Sequence, residues 1–241
     1  MRYILLVVMV PMFSFSSAMA QEAAVPKKWK NSAELSYVQT GGDSKISTLS
    51  AKDLFNYDWD KAALEVSASG LNAKNNSSVT AEQYNASEKV SIKLSGKNYA
   101  FEKILWEKNR PSGINNRYDF DLGVGRQLLQ LANDNLFAEV GGGYLTEDRI
   151  ASANQSFATY RGYAKYIRTL SATANASQDF EYLGNMNDSS GYRMNAETAI
   201  IASMSTHLSL KASYQWQYTN SPVPGFQKTN TITGMAIIVN Y

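Results

Sequence analysis

The segment Thr231-Ile232-Thr233-Gly234-Met235-Ala236-Ile237-Ile238-Val239-Asn240-Tyr241 alternates from end to end. Thr231, Thr233, Met235, Ile237, Val239 and Tyr241 take every second position and become more apolar toward the aromatic residue. Strand side chains point alternately to two faces, so this spacing describes a strand with one greasy face. Asn230, Gly234, Ala236 and Asn240 stand on the other face, too small and polar for an ordinary buried core. The apolar face must therefore meet something other than a conventional protein interior.

Working back along the chain, the same period recurs. Leu208, Leu210, Ala212, Tyr214, Trp216 and Tyr218 point one way, and Ser209, Lys211, Ser213, Gln215 and Gln217 the other. Tyr118, Phe120, Leu122 and Val124 likewise oppose Arg117, Asp119, Asp121 and Gly123. A helix would scatter these residues around its circumference, so the period of two decides. Twelve such segments are expected: Lys30–Gln39, Lys45–Tyr57, Lys61–Leu71, Thr80–Leu94, Asn98–Lys108, Asn116–Gln127, Asn135–Thr146, Ser156–Thr169, Ala172–Leu183, Tyr192–Ser203, His207–Thr219 and Lys228–Tyr241. The second has no clean apolar face, and the fifth mixes Glu102 and Lys103 among Phe101, Ile104, Leu105 and Trp106. Glu88 shares the parity of Val90, Ile92 and Leu94, a position tolerable only above a lipid band.

The fold these segments predict is all-β: a transmembrane, antiparallel, up-and-down β-barrel of about 12 strands, with about 10–14 compatible. A terminal aromatic closing an amphipathic strand resembles the last strand of bacterial outer-membrane barrels, and that resemblance makes Ile237, Val239 and Tyr241 an assembly signal. The N-terminus agrees. Arg2, the apolar run Ile4–Phe15 and the small-x-small site at Ala18 and Ala20 have the build of a cleaved secretory leader over 1–20. A helical anchor needs about 20 apolar residues, and this run is shorter and interrupted by Pro11. A polar segment follows over 21–29, and the barrel is expected over 30–241.

Composition narrows the function classes. With no cysteine, disulfides, thiol chemistry and a lipidated cysteine are excluded. A formal net charge of +2 with scattered Lys and Arg gives no nucleic-acid footprint. Mean hydropathy of −0.33 is too polar for a bundle of membrane helices, whereas membrane strands meet lipid with alternate residues only. The 15 tyrosines suit the aromatic girdles of a barrel.

Connection lengths supply a further reading. Asp58–Asp60, Ser95–Lys97, Leu128–Asp134, Leu170–Ser171 and Met204–Thr206 are read as turns on one side, Leu128–Asp134 being rather long. Asn72–Val79, Asn109–Asn115, Glu147–Gln155, Gly184–Gly191 and Asn220–Gln227 are read as longer loops on the other, with a tight turn at Gly41–Asp43. Short inside and long outside is the asymmetry of bacterial barrels. A secreted β-sandwich would space its strands about 8–12 residues apart and carry polar outer faces.

The stretch from Glu102 to Asp148 carries a family resemblance. It holds Glu102-Lys103, Glu107-Lys108-Asn109-Arg110, Gly113-Ile114-Asn115-Asn116-Arg117-Tyr118, Gly123-Val124-Gly125-Arg126 and Phe137-Ala138-Glu139-Val140-Gly141-Gly142-Gly143-Tyr144. In this order the motifs resemble the salt-induced outer-membrane protein family, one of the domain-of-unknown-function families. The resemblance implies an outer-membrane location and expression under osmotic stress, and it brings no catalytic residues.

The residues themselves suggest structure rather than catalysis. Glycine in a strand marks a bend, a bulge or a close approach, so Gly123, Gly125, Gly141, Gly142 and Gly143 are read as devices of barrel curvature. The lone His207 belongs to a turn, with Ser205 and Ser209 its only sequence-near nucleophiles. Asp119 with Asp121, or Asp179 with Glu181, could hold calcium through oxygen. Pairing with inward Arg161, Lys165, Arg193 and Lys211 is the preferred reading, since buried charges pair. The inward set also includes Arg117, Glu139 and Glu197, with Glu34, Glu65 and Lys93 on the same parity. Mixed signs predict a narrow or closed lumen, because selective pores present one sign; no cofactor is expected. The expected partners are outer-membrane lipid and lipopolysaccharide, the barrel-assembly machinery and, for a channel, small solutes. The function expected is that of a non-enzymatic outer-membrane barrel supporting envelope integrity under salt or osmotic stress, and its rivals are a small-solute or ion channel and an outer-membrane lipid or peptide hydrolase.

Overall fold

The computed structural model describes residues 28–40, 46–75 and 78–241. The leader with Ala18 and Ala20, the segment up to residue 27 and the turn expected at Gly41–Asp43 lie outside the described residues. Among the described residues are twelve strands: β1 (Trp29–Thr40), β2 (Ile46–Asp58), β3 (Ala62–Asn75), β4 (Ser78–Lys93), β5 (Asn98–Asn109), β6 (Ile114–Gln130), β7 (Asp134–Arg149), β8 (Gln155–Thr169), β9 (Ala174–Asn185), β10 (Tyr192–Ser203), β11 (Leu208–Thr219) and β12 (Thr229–Asn240). Each is antiparallel to its sequence neighbours, and β12 returns to β1 to close the barrel. The expected all-β, up-and-down architecture is the observed one.

Two connections differ from expectation. The long inner turn Leu128–Asp134 shrinks, because β6 continues to Gln130 through a register shift between Gln127 and Leu129. Gln127 Nε2 donates to the carbonyls of Leu129 at 2.7 Å and Leu136 at 3.2 Å, which stitches the extra residue into the ladder. A bulge breaks strict alternation, so the pair Leu128-Leu129 reads as a loop in one dimension. Likewise the ladder of β3 and β4 runs to Asn75↔Ser78 past a shift at Ala73/Lys74, where polar residues suggested a loop over Asn72–Val79.

The outward face is an apolar band. Ile104, Tyr118, Leu122, Val124, Val140, Tyr144, Leu210, Tyr214, Met235 and Ile237 all lie on it with 44–67% of their surface exposed. Within a closed barrel, whose strand hydrogen bonds leave no free edge, such a band is what a bilayer requires. Glu88 and Glu102 also point outward and are exposed. Glu88 sits between Val66 and Ile104 across the ladder, and Glu102 between Val90 and Leu122. Both carboxylates are therefore inside the apolar band rather than above it.

The glycines of β6 and β7 act by close approach. A Cβ on Gly143 would stand 2.0 Å from the Phe120 carbonyl oxygen, and one on Gly123 would stand 2.4 Å from that of Val140. The Gly123↔Gly141 register is continuous, so no bulge sits there. By contrast, a Cβ on Gly234 would meet only the Ser213 hydroxyl, at 3.9 Å. Gly143→Ala should therefore lose about 1–3 kcal/mol by overpacking, and Gly234→Ala almost nothing; urea unfolding in detergent micelles reads the difference.

Candidate functional site in the barrel lumen

The lumen divides lengthwise into a filled half and a hollow half. In the filled half, under β4 to β10, six cations (Lys89, Lys103, Arg117, Arg149, Arg161, Arg193) meet six carboxylates (Glu107, Asp119, Asp121, Glu139, Glu147, Glu181). Arg161 is its hub, reaching Glu181 at 2.6 Å, Glu139 at 2.9 Å and Asp121 at 3.7 Å. Glu139 also accepts from Lys89 and from the Tyr99 hydroxyl at 2.7 Å. Nearer the long-loop end, Arg117 clasps Glu107 at 2.6 Å and Glu147 at 2.7 Å, and Glu147 takes Arg149 at 2.6 Å. Arg193 reaches Asp119 at 3.4 Å.

Aromatic rings pack this network. Tyr99 and Phe101 on β5 lean over Gly125 and Gly123 of β6, where a Cβ would meet their rings at 2.2 and 2.6 Å. The Arg161 guanidinium lies 4.9 Å from the Tyr163 ring centre and 5.7 Å from that of Phe101. Glycine thus vacates space that aromatic rings and cations fill. One oxygen each of Asp119 and Asp121, and the Thr159 hydroxyl, have no protein partner there, which suits ordered water.

The hollow half lies under β1 to β4 and β9 to β12. A 320 Å³ cavity toward the long-loop end is lined by Ser36, Ser50, Ser69, Gln83, Asn85 and Gln217 among others. A 360 Å³ cavity toward the short-turn end is lined by Ser32, Asn175, Ser177, Ser203 and Ser209. Glu34, Lys52, Asp179, Glu197 and Lys211 border both, forming a charged waist. There Lys211 bridges Glu197 at 2.8 Å and Glu34 at 3.2 Å. Asp179 accepts the backbone N–H of Glu197 at 3.0 Å. Among the described residues Lys52 and Lys165 make no ion pair within 4.0 Å, although both act electrostatically on Asp179 and Glu197.

All eleven charges singled out in the sequence (Arg117, Asp119, Asp121, Glu139, Arg161, Lys165, Asp179, Glu181, Arg193, Glu197 and Lys211) point into the lumen, on one or the other side of this division. Lys165 and Asp179 are the exceptions to ion pairing within 4.0 Å among the described residues, and Asp179 accepts the Glu197 backbone N–H instead. Missed were Lys52 of the waist and Lys89, Lys103, Glu107, Glu147 and Arg149 of the filled half. Lys89 had a usable signal, its parity opposing Val90 and Ile92, whereas Glu107 and Glu147 were hidden by their places at strand ends. Ile237, Val239 and Tyr241 point outward, and the Tyr241 backbone N–H donates to the Asn31 carbonyl at 2.9 Å. His207 is exposed in a turn, its Nδ1 2.9 Å from the Thr206 hydroxyl, while Ser205 Oγ accepts the backbone N–H groups of His207 and Leu208.

The long-loop end is bridged. The 3-10 turn Arg110–Ser112 and the loop before β12 meet above the lumen, although six steps around the barrel separate β6 from β12. Asn230 Nδ2 donates to Ser112 Oγ at 3.0 Å. Val223 is buried against Gly113, whose φ of +78° and lack of Cβ admit Val223 and Phe226.

This architecture is that of the transmembrane β-barrels. The model of the family described as "Protein of unknown function, DUF481" matches residues 33–241, and the chain belongs to that family. A relative, "Uncharacterized protein YdiY" of Escherichia coli (strain K12), is 22% identical over 209 residues, covering 87% of this chain and 81% of the relative. Among solved structures, the COG4313 outer membrane channel from Pseudomonas putida F1 superimposes with a TM-score of 0.53 at 9% identity, over 94% of this chain and 100% of the channel. The NanC porin gives 0.50 at 10% identity, over 87% and 97%. Identities this low speak for the fold alone.

Arg161→Met should strand Asp121, whose ion pair among the described residues is with Arg161, while Glu139 keeps Lys89 and Glu181 keeps Lys103, and it should cost about 3–5 kcal/mol. The double variant Arg161→Met/Asp121→Asn should recover part of that loss, and denaturant midpoints of the two single variants and the double variant read the coupling.

Proposed function

We propose that this protein is a non-enzymatic outer-membrane barrel whose hollow half forms a narrow, off-axis, water-filled passage for small polar solutes. The observation that carries this reading is the shared lining: the same five waist residues border a cavity on each side. Ser, Asn and Gln side chains wall both cavities, and they offer hydrogen bonds to neutral or zwitterionic solutes without trapping them. Lys52, Lys165 and Lys211 face Glu34, Asp179 and Glu197, so neither sign of ion is favoured. Twelve strands stand between filled eight-strand barrels and open sixteen-strand porins, which agrees with a lumen filled on one side only. The short-turn end is then periplasmic and the bridged end faces outside. The leader over 1–20 would bring the chain across the inner membrane, and the outward Ile237, Val239 and Tyr241 would present it to the barrel-assembly machinery.

The closed-barrel alternative places the protein's value in envelope integrity alone. The resemblance to a salt-induced family supports a task under osmotic load in either case. Catalysis is disfavoured because His207 and Ser205 are engaged in turn hydrogen bonds and, among the described residues, no carboxylate is hydrogen-bonded to either.

In planar bilayers the purified barrel should give small conductance steps with little ion preference. Glu34→Gln/Glu197→Gln leaves three lysines against Asp179 and should turn the reversal potential toward anions. Liposomes carrying the protein should swell in glycine and stay intact in a trisaccharide. A barrel with neither steps nor swelling would leave only the closed reading. Loss of growth at high salt in a deletion strain, restored by the wild-type gene, tests the stress role.

A further inference from the structure

We propose that the long-loop end of the filled half holds a blind binding pocket for a small hydroxylated monocarboxylate, seated on Arg193 and Arg149 beneath the bridging loop. A cavity of 290 Å³ lies there, close to the lower limit of ligand pockets at about 300 Å³. Strand register builds its walls. Arg117, Glu147 and Gln155 stand side by side across β6, β7 and β8, and Leu183, Arg193 and Thr219 across β9, β10 and β11. All six line the cavity, and Ser221 to Pro224 of the loop before β12 complete the lining. Val223 is buried against Gly113, so that loop is held in place. A pocket already formed spares a ligand the cost of ordering its walls.

The donors around the cavity are unequally spent. Both oxygens of Glu147 are taken, one by Arg117 at 2.7 Å and the other by Arg149 at 2.6 Å. Arg193 is held loosely by comparison, with Nη2 3.4 Å from Asp119 and Nη1 3.9 Å from Glu147. Among the described residues neither Arg193 Nε nor Arg149 Nη1 donates a hydrogen bond. Neither nitrogen is sealed from water, which leaves both open to the cavity that their side chains line.

Guanidinium donors lacking an acceptor in a walled site recognise a carboxylate or a phosphate. The lining separates the two. Arg117, Arg149 and Arg193 share it with Glu147 and Asp188, an excess of one positive charge, which suits a monoanion and disfavours a phosphate dianion. Gln155, Thr219 and Ser221 offer partners to hydroxyls, and Phe157, Leu183 and Val223 give C–H groups an apolar wall. Behind the arginines, Glu107 and Asp119 lead into the ion-pair network that fills this half of the lumen. A ligand therefore docks here without passing through, and the pocket stands whether or not the hollow half conducts.

Isothermal titration of the purified barrel in detergent micelles tests the site with gluconate, with its neutral analogue sorbitol and with inorganic phosphate. Gluconate should bind about tenfold more tightly than either, and Arg193→Gln should remove that advantage. Ser152→Trp, in the connection between β7 and β8 beside the cavity, should block gluconate without touching a ladder bond. It decides the matter even if Arg193→Gln fails to fold, as heat-modifiable gel migration would show. No heat with gluconate, equal affinity for gluconate and sorbitol, or tighter binding of phosphate would overturn the pocket. So would gluconate binding that survives Ser152→Trp or a folded Arg193→Gln.

Discussion

A backbone amide in hydrocarbon has no water to fall back on, and this one constraint arranges the molecule. Every strand must find a partner on both sides, which forces the chain to close on itself. Closure brings β1 to β12, which among the described strands are the one neighbouring pair not consecutive in the chain. The other adjacent strands follow one another in sequence, so their register is fixed more locally. The β1–β12 contact must be made by side chains and ladder bonds alone, and it is here that the ladder is shortest. The weakest joint in the barrel is thus where closure has the least covalent help.

Inside, the opposite problem applies. A lumen this wide cannot be filled by side chains from facing walls unless some are long and charged, and long charged side chains must be paired. The protein resolves this on one side only. Glycines in β6 and β7 let neighbouring backbone and the rings of Tyr99 and Phe101 come close, and six cations balanced by six carboxylates fill what is left. The other wall carries serine, asparagine and glutamine, too short to reach across. Hollow space follows from side-chain length as much as from charge.

How much of this could be read in one dimension depends on period. Where alternation is unbroken, as in Leu208–Thr219, the face of every residue follows at once, and Lys211 falls inward because its neighbours Leu210 and Ala212 fall outward. Where a bulge adds a residue, as at Gln127/Leu129, parity flips and the strand seems to end early. Pair partners are a different matter. Arg161 lies on β8 and its carboxylates on β6, β7 and β9, so the hub depends on registers that no single strand reveals. Nor does any local pattern announce that Lys165 stays without an ion partner while Lys211 gains two. The Ser112–Asn230 bridge, spanning 118 residues of chain, has no sequence signature at all.

That bridge bears on how the hollow half is reached. Val223 and Phe226 lock onto Gly113 through apolar contact, and Asn230 ties Ser112 from the far wall, so the strap is held at both ends. A strap across the diameter leaves openings beside it rather than one wide mouth. Small polar solutes can pass beside such a strap, but a molecule with a long apolar chain gains nothing by leaving the bilayer to try. Each buried methylene favours staying in lipid by about 0.8 kcal/mol, so a chain of ordinary length is confined to the membrane plane.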